Sequence, residues 1–527
     1  MAVNQRKAGA ILSYVQMILS TVIGLVYTPI MLRILGQSEY GLFGTASSLT
    51  SFLSLLSFGL SGAYIKFVME YRVKGDKQGE NRLNGLFLIM YSVAATFVLI
   101  AGTVLIFASD AIYQNSLSGY EISQIKIIIF LTVLNTILTF IFIPVMMYIQ
   151  SMERYLFLRI IAISTSIITP VINIIVLLIE PRAVSISVVT VAIALITYIV
   201  YFIYAYKKLG MRFSFKKIEF SVFKGVFAFS GFLFINEITN LITNNTDKIV
   251  LGVVSGTVAV AIYTVGNNFT NYLYTCSTSI STVFSPSINK IVATAKEEGK
   301  SPDAELNQLF VKVGRLQFLI LTLILVGFST LGRQFIILWA GEEYVNSFWI
   351  ALLLMFAPYV PLMQNIGLEV QKAKNLHKVR SLLYFGVSIL NAAVTIPVAA
   401  YFSQDSFAPG TGGIAAAAAT FGAMMIGQVL FMNIYYQKKV GIDVISFWKQ
   451  ILRMLPGVIL PFAVGLALTI FLPATNFYLL LAEIIIVAVV YIFSTYSISM
   501  NQYERELITS PFKKIGKKLK NDDKEII

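Results

Sequence analysis

The chain has 527 residues, of which 57% are hydrophobic and only 13% charged, with a mean hydropathy of +0.78, a balance that excludes a soluble globular domain. One cysteine, Cys276, and one histidine, His377, exclude an internal disulfide framework and a Cys/His metal centre. There is no P-loop, no Gly-rich dinucleotide fingerprint and no zinc-ligand spacing, so the expectation is a non-enzymatic membrane protein with no cofactor or metal and no ATP chemistry of its own.

A hydrocarbon core of about 30 Å needs about 20 apolar residues to cross as a helix. Fourteen such runs are predicted, at 10–34, 41–69, 84–108, 122–149, 155–179, 183–206, 224–251, 258–289, 315–332, 348–371, 380–402, 412–436, 451–472 and 476–499. The first continues past Leu25 and Pro29 without a small-residue cleavage site and is read as a retained helix. The fold class expected is therefore an all-α polytopic membrane protein.

Lys and Arg set the orientation, because short loops rich in them stay cytoplasmic. They cluster in every second gap, from Arg6 and Lys7 to the segment Arg505 to Lys524, which together hold 35 of the 40. Loops such as Ser109 to Glu121 hold essentially none, so both termini are expected in the cytoplasm and the protein in the cytoplasmic membrane. The net charge of +14 then reports topology and contact with anionic lipid headgroups, and no nucleic-acid motif accompanies it.

Six spans separate the first from the seventh, and Arg33-Ile34-Leu35-Gly36 is echoed by Lys248-Ile249-Val250-Leu251-Gly252. This repeat divides the chain into an N-terminal lobe (1–206), a cytoplasmic amphipathic linker (207–223), a C-terminal lobe (224–437), two further spans (438–500) and a basic tail (501–527). Within the linker region, Phe213 to Phe229 alternates basic and aromatic residues, as an amphipathic helix on the inner leaflet would.

Polar residues inside the spans are the candidates for function, since a charge at the centre of a membrane helix costs on the order of 3 kcal/mol. In span seven Glu237, Asn240, Asn244 and Lys248 follow helical spacing, with Asn236 and Asp247 along the edge of that stripe. Asn268, Asn271, Thr275 and Thr278 continue the theme in span eight, and Gln16 lies on the polar face of span one. The asparagines either hold helices together by interhelical hydrogen bonds or line a cavity. The cations Arg33, Lys66, Lys248 and Lys290 suit an anionic group carrying phosphate, and Glu237, Asp247 and Glu369 are the candidate coupling carboxylates. Glu369 falls below a kink expected at Pro358 and Pro361, and Glu483 in span fourteen receives no role.

The run Thr28-Pro29-Ile30-Met31-Leu32-Arg33-Ile34-Leu35-Gly36-Gln37-Ser38-Glu39-Tyr40-Gly41-Leu42, with Asp247-Lys248, Leu251-Gly252 and Ala261-Ile262-Tyr263 in the second half, resembles the Wzx-type polysaccharide repeat-unit flippases of the multidrug/oligosaccharidyl-lipid/polysaccharide (MOP) exporter superfamily. That resemblance implies a V-shaped pair of six-helix lobes with two extra C-terminal helices, which moves an undecaprenyl-pyrophosphate-linked oligosaccharide outward by alternating access. The implied partners are the lipid-linked oligosaccharide, anionic lipids, and a glycan polymerase and glycosyltransferases. Arg33, Lys66, Lys248 and Lys290 would bind pyrophosphate, while Gln16, Asn236, Asn240, Asn244, Asn268 and Asn271 would line the glycan path. Lipid II flippases show more arginines in the first two spans than Arg33 and Lys66, and cation-coupled multidrug exporters place a carboxylate in span one, which this chain lacks. Drug export remains the competing reading, with Glu237 or Asp247 supplying the carboxylate. A membrane polymerase or ligase is disfavoured by the short outer loops.

Overall fold

The computed structural model describes residues 5–57, 60–216, 220–374, 376–404, 407, 410–507 and 509. The basic tail beyond 509 and linker residues 217–219 lie outside the described residues. Every regular element among those described is helical. The first six helices are α1 (Gln5–Ser51), α2 (Leu60–Val73), α3 (Lys77–Tyr113), α4 (Gly119–Ser151), α5 (Tyr155–Ile179) and α6 (Ala183–Ile203). There follow α7 (Phe220–Val254), α8 (Gly256–Glu297), α9 (Asp303–Ala340), α10 (Ser347–Met363), α11 (Ile366–Ala373), α12 (His377–Phe402) and α13 (Thr411–Met424). The last are α14 (Met432–Tyr435), α15 (Val444–Leu452), α16 (Pro456–Phe471) and α17 (Phe477–Ser494).

Each of the fourteen apolar runs coincides with helix, but among the described residues only nine helical stretches, or up to eleven if two bent pairs each count as one span, are long and apolar enough to cross a membrane. The first two runs join in one helical path, Leu12–Val73, interrupted at Gly36, whose φ of 75° and ψ of 173° favour a residue without Cβ. Helix α8 is 42 residues long yet falls short on composition, because Asn267, Asn268, Asn271 and a series of Thr and Ser dilute its apolar residues. The kink expected at Pro358 and Pro361 occurs a little later: α10 and α11 meet at 46°, with Gln364 and Asn365 at the break. Large apolar side chains such as Phe107 at 76% exposure and Ile179 at 81% point outward from the helices, as hydrocarbon contact requires. This is a multi-pass membrane protein.

Polar caps place the helix ends. Asp76 accepts from Gly79 N–H at 2.8 Å to start α3, and Ser118 with Glu121 forms a reciprocal capping box at the start of α4. The expected inner-leaflet helix from Phe213 is not formed. Residues 209–216 are non-helical, because their backbone pairs with α3: Ser214 N–H donates to Asn81 O at 2.9 Å, and Asn84 Nδ2 donates to Arg212 O at 2.9 Å. From Phe220 on, the expected amphipathic segment is the beginning of α7.

Contacts group the chain into two units, one comprising 1–268, 349–353 and 378–423, the other 269–348, 354–377 and 424–527. The core of the first is built on Tyr64, Phe87 and Tyr91, each fully buried, with the Tyr64 and Phe87 rings edge-on at 5.0 Å. Asn84 also accepts from the Tyr64 hydroxyl at 2.6 Å, so Asn84→Ala strips the partner from the buried Tyr64 hydroxyl and from the Arg212 carbonyl. A loss of about 2 kcal/mol or more is expected, read as a fall in the thermal midpoint of the detergent-purified protein.

In the second unit α9, α16 and α17 pack around Val326, Leu331, Leu480 and Val487. At its Lys- and Arg-rich end the buried Arg315 of α9 is clamped by Glu504, with Nε to Oε1 at 2.6 Å and Nη2 to Oε2 at 2.8 Å, and donates to Ser499 O at 2.9 Å.

Candidate functional site

Helix α7 carries two polar rows side by side. On one, Glu237, Asn240 and Asn244 are all exposed and one helical turn apart, and Asn244 Nδ2 donates to Asn240 O at 2.8 Å within the helix. Among the described residues these three side chains make no hydrogen bond to a neighbouring helix. On the other Asn236 accepts from Ser381 of α12 at 2.9 Å, and Asp247 is 1% exposed. The two residues placed along the edge of the stripe thus turn inward, with Asn236 in an interhelical bond. Lys248 is half-buried.

Asp247 is the centre of a closed polar cluster inside the first unit. Its Oδ2 accepts from the hydroxyl of Tyr263 on α8 and from Thr420 on α13, the latter at 2.8 Å. Asn391 on α12 donates to Thr420 Oγ1 at 3.0 Å, and Thr395 donates to Asn391 Oδ1 at 3.3 Å. Oδ1 of Asp247 is buried without a donor, and among the described residues Asp247 has no ion pair. An ionised carboxylate with one oxygen unserved inside hydrocarbon is costly. No group of three or more His, Cys, Asp or Glu among the described residues offers a site for a multivalent metal.

The four cations assigned to pyrophosphate lie on four helices, Arg33 on α1, Lys66 on α2, Lys248 on α7 and Lys290 on α8. Arg33, Lys66 and Lys290 are all exposed. Arg33 precedes the Gly36 kink of α1, and Lys66 lies in the middle of α2. Lys290 belongs to the second unit. A cation not assigned to substrate from the sequence stands closer to the polar residues of span one: Arg159 of α5 donates from Nη1 to Gln16 Oε1 at 2.9 Å. Its nearness to Arg154 put it among the topology charges, although it lies a full turn inside the apolar run that begins at Tyr155.

In the second unit, Glu369 accepts from Ser285 at 2.7 Å and from Lys372, three residues on, at 2.7 Å. Its charge is therefore neutralised locally, unlike that of Asp247. Along α8, Asn268 is half-buried while Asn271, Thr278 and Thr282 are exposed, and the threonine hydroxyls bond back to their own helix, Thr278 to Tyr274 O at 2.8 Å and Thr282 to Thr278 O at 2.9 Å.

The first unit is closed at its Lys- and Arg-poor end. Glu121 Oε1 accepts from Ser38 of α1 at 2.7 Å and from Thr257 of α8 at 2.9 Å, so one carboxylate joins the two sequence halves. Ser116 adds a bond to Gly252 O at 3.0 Å. The helices approach so closely that a Cβ at Gly41 would lie 1.9 Å from Thr257 O. None of this was legible from spacing, since the partners come from three distant segments.

A family model for polysaccharide biosynthesis proteins matches residues 7–292, more than half of the chain. The chain belongs to the polysaccharide biosynthesis protein family. No curated protein matches it in sequence. Among solved structures this family member is similar to the lipid II flippase MurJ in its inward closed conformation, with a TM-score of 0.64 at 15% identity over 94% of this chain and 100% of that one. It is also similar to a mutant of the Vibrio cholerae MATE transporter VcmN, with a TM-score of 0.54 at 12% identity over 83% of this chain and 98% of the other. A multidrug resistance MATE family transporter of the MOP superfamily, in an inward-facing conformation, gives 0.53 at 12% identity over 84% and 99%. The fold is that of the MOP-superfamily transporters, as the opening motif implies.

Proposed function

We propose that the protein is a flippase that carries an undecaprenyl-pyrophosphate-linked oligosaccharide from the inner to the outer leaflet of the cytoplasmic membrane, for surface polysaccharide assembly. The observation that carries the reading is the polar stripe of α7 in a polysaccharide biosynthesis family member: an exposed row of Glu237, Asn240 and Asn244 runs beside the buried Asp247. Amide side chains suit sugar hydroxyls, and Arg159 beside Gln16 offers a planar fork that suits phosphate. Asp247 is the coupling residue, whose occupancy by a proton or small cation biases the packing of α7, α8, α12 and α13. By the distribution of Lys and Arg, the closed end is the outer one, both termini are cytoplasmic, and the Glu121 junction is the outer gate.

Deletion of the gene with analysis of prenyl-linked intermediates tests the function: accumulation of the intermediate on the inner leaflet with loss of surface glycan is expected. Unchanged glycan with altered drug sensitivity would instead establish a cation-coupled multidrug exporter, a reading favoured by the similarity to MATE transporters. The gate is tested by Ser38→Cys with Thr257→Cys in a Cys276→Ser background, whose side-chain oxygens lie 3.5 Å apart in the native pair. Oxidation is expected to cross-link the pair and stop export, and dithiothreitol to restore it. Full export by the cross-linked protein would remove the gate. Lys248→Ala and Glu237→Gln, made at normal abundance, are each expected to lower export, and wild-type export in both would remove α7 from the substrate path.

A further inference from the structure

One ionisable side chain deep in the second unit plays no part in the scheme above. Glu483 of α17 is 6% exposed and its Oε2 has no donor; among the described residues it makes no hydrogen bond and no ion pair. Its surroundings are fixed by the antiparallel register of α17 on α9. The Phe335 and Phe477 rings meet at 6.3 Å near one end, and the Tyr491 hydroxyl donates to Leu319 O at 2.8 Å further along. Leu480 and Val487, which flank Glu483, cluster with Val326 and Leu331, which flank Thr330. Glu483 therefore lies level with the turn of α9 that carries Thr330.

That level is tight and its hydroxyls are already engaged. A Cβ at Gly465 of α16 would lie 2.5 Å from Thr330 Oγ1. Thr330 donates to Val326 O at 2.9 Å, and Thr469 donates to Thr330 O at 2.8 Å. One turn from Thr330 the Oε1 of Gln334 is a second buried acceptor without a donor. Helix α16 has no ionisable residue. Between Thr322 and Ala340 α9 carries one charge, Arg333, which is exposed and makes no ion pair among the described residues, and the segment Thr495–Ser499 contributes only Tyr496. No cation is at hand to balance a carboxylate, and too few free oxygens converge to coordinate a metal ion.

We propose that Glu483 is a proton-binding site: its carboxyl is held in the acid form between α9, α16 and α17, and its ionisation loosens that packing. A neutral acid needs no counter-charge in hydrocarbon, whereas the isolated carboxylate would carry a desolvation cost large enough to drive neutralisation or separation of the helices. The direction of the pH response follows. The neutral group contributes stability at low pH, and that contribution is lost as pH rises and the proton leaves. The second unit thus holds an acid separate from Asp247, on a helix that follows the two six-span halves.

Infrared difference spectra of the purified full chain, wild type minus Glu483→Gln, test this directly and do not depend on what the protein transports. At neutral pH the difference is expected to show the C=O stretch of a protonated carboxyl, replaced by carboxylate bands as pH is raised. Glu483→Gln, which mimics the acid form, is expected to melt with the wild type at neutral pH and above it at alkaline pH. Carboxylate bands already present at neutral pH would overturn the proposal, as would an acid band that forms only when sodium is replaced by choline, which would make the ligand an alkali cation. If Glu483→Gln does not accumulate, Glu483→Asp serves in its place: a displaced acid band supports the site, and an unchanged spectrum overturns it.

Discussion

Asp247→Asn is expected to reach the membrane at the wild-type level and to export about tenfold less surface glycan or worse, the size of a lost coupling free energy of one to two kcal/mol. The amide fills the same volume and its oxygen still accepts from Tyr263 or Thr420, so the four-helix junction keeps its shape. What it loses is the ionisable carboxyl, on which the proposed coupling role rests. The comparison to make is with Thr420→Val, which removes a partner but leaves the carboxylate and should lower export less. Quantitative glycan analysis beside immunoblotted abundance separates the two. Export by Asp247→Asn at the wild-type rate would show the cluster to be a structural joint only.

The largest effect on stability is expected at Arg315. Arg315→Ala leaves Glu504, whose side chain is 2% exposed, without the guanidinium that meets both its oxygens, and leaves Ser499 O without a donor. Breaking a buried pair in this way costs about 3–5 kcal/mol, because the surviving charge stays uncompensated. The measurement is thermal unfolding of the purified protein, with Arg315→Met combined with Glu504→Leu as the control. The double variant removes both charges and is expected to recover most of the loss. Recovery is the informative half, since it separates an unpaired charge from a lost contact.

Much of the architecture is written locally. Apolar runs of membrane-crossing length, interrupted by basic gaps, predict helices that the structure contains at each position, and the Pro358 and Pro361 pair foretells a bend that occurs a few residues later. The exposed face of α7 is local too, because one helical period relates Glu237, Asn240 and Asn244. What periodicity cannot supply is the identity of the facing helix. Asp247 falls at the margin of that stripe in the sequence, and only the arrival of Tyr263, Asn391, Thr395 and Thr420 from other helices turns it into the buried centre of a cluster. The neutralisation of Glu369 was in reach, since Lys372 lies three residues on along the same helix. Arg159 was in reach as well, had its place inside the run been weighed above its neighbour in the loop.

The polarity of α8 bears on how the protein is made. A helix whose composition falls short of what a membrane span needs gains little from partitioning into lipid alone, so its place must be secured by helices inserted before it. Thr257, Val260 and Thr264, at its first turns, meet Ser38, Gly44 and Glu121, which are synthesised more than a hundred residues earlier. The Glu121 junction therefore also offers a landing place for an inserting helix. Weakening it should show first as shortened lifetime of the newly made chain, before any transport is measured.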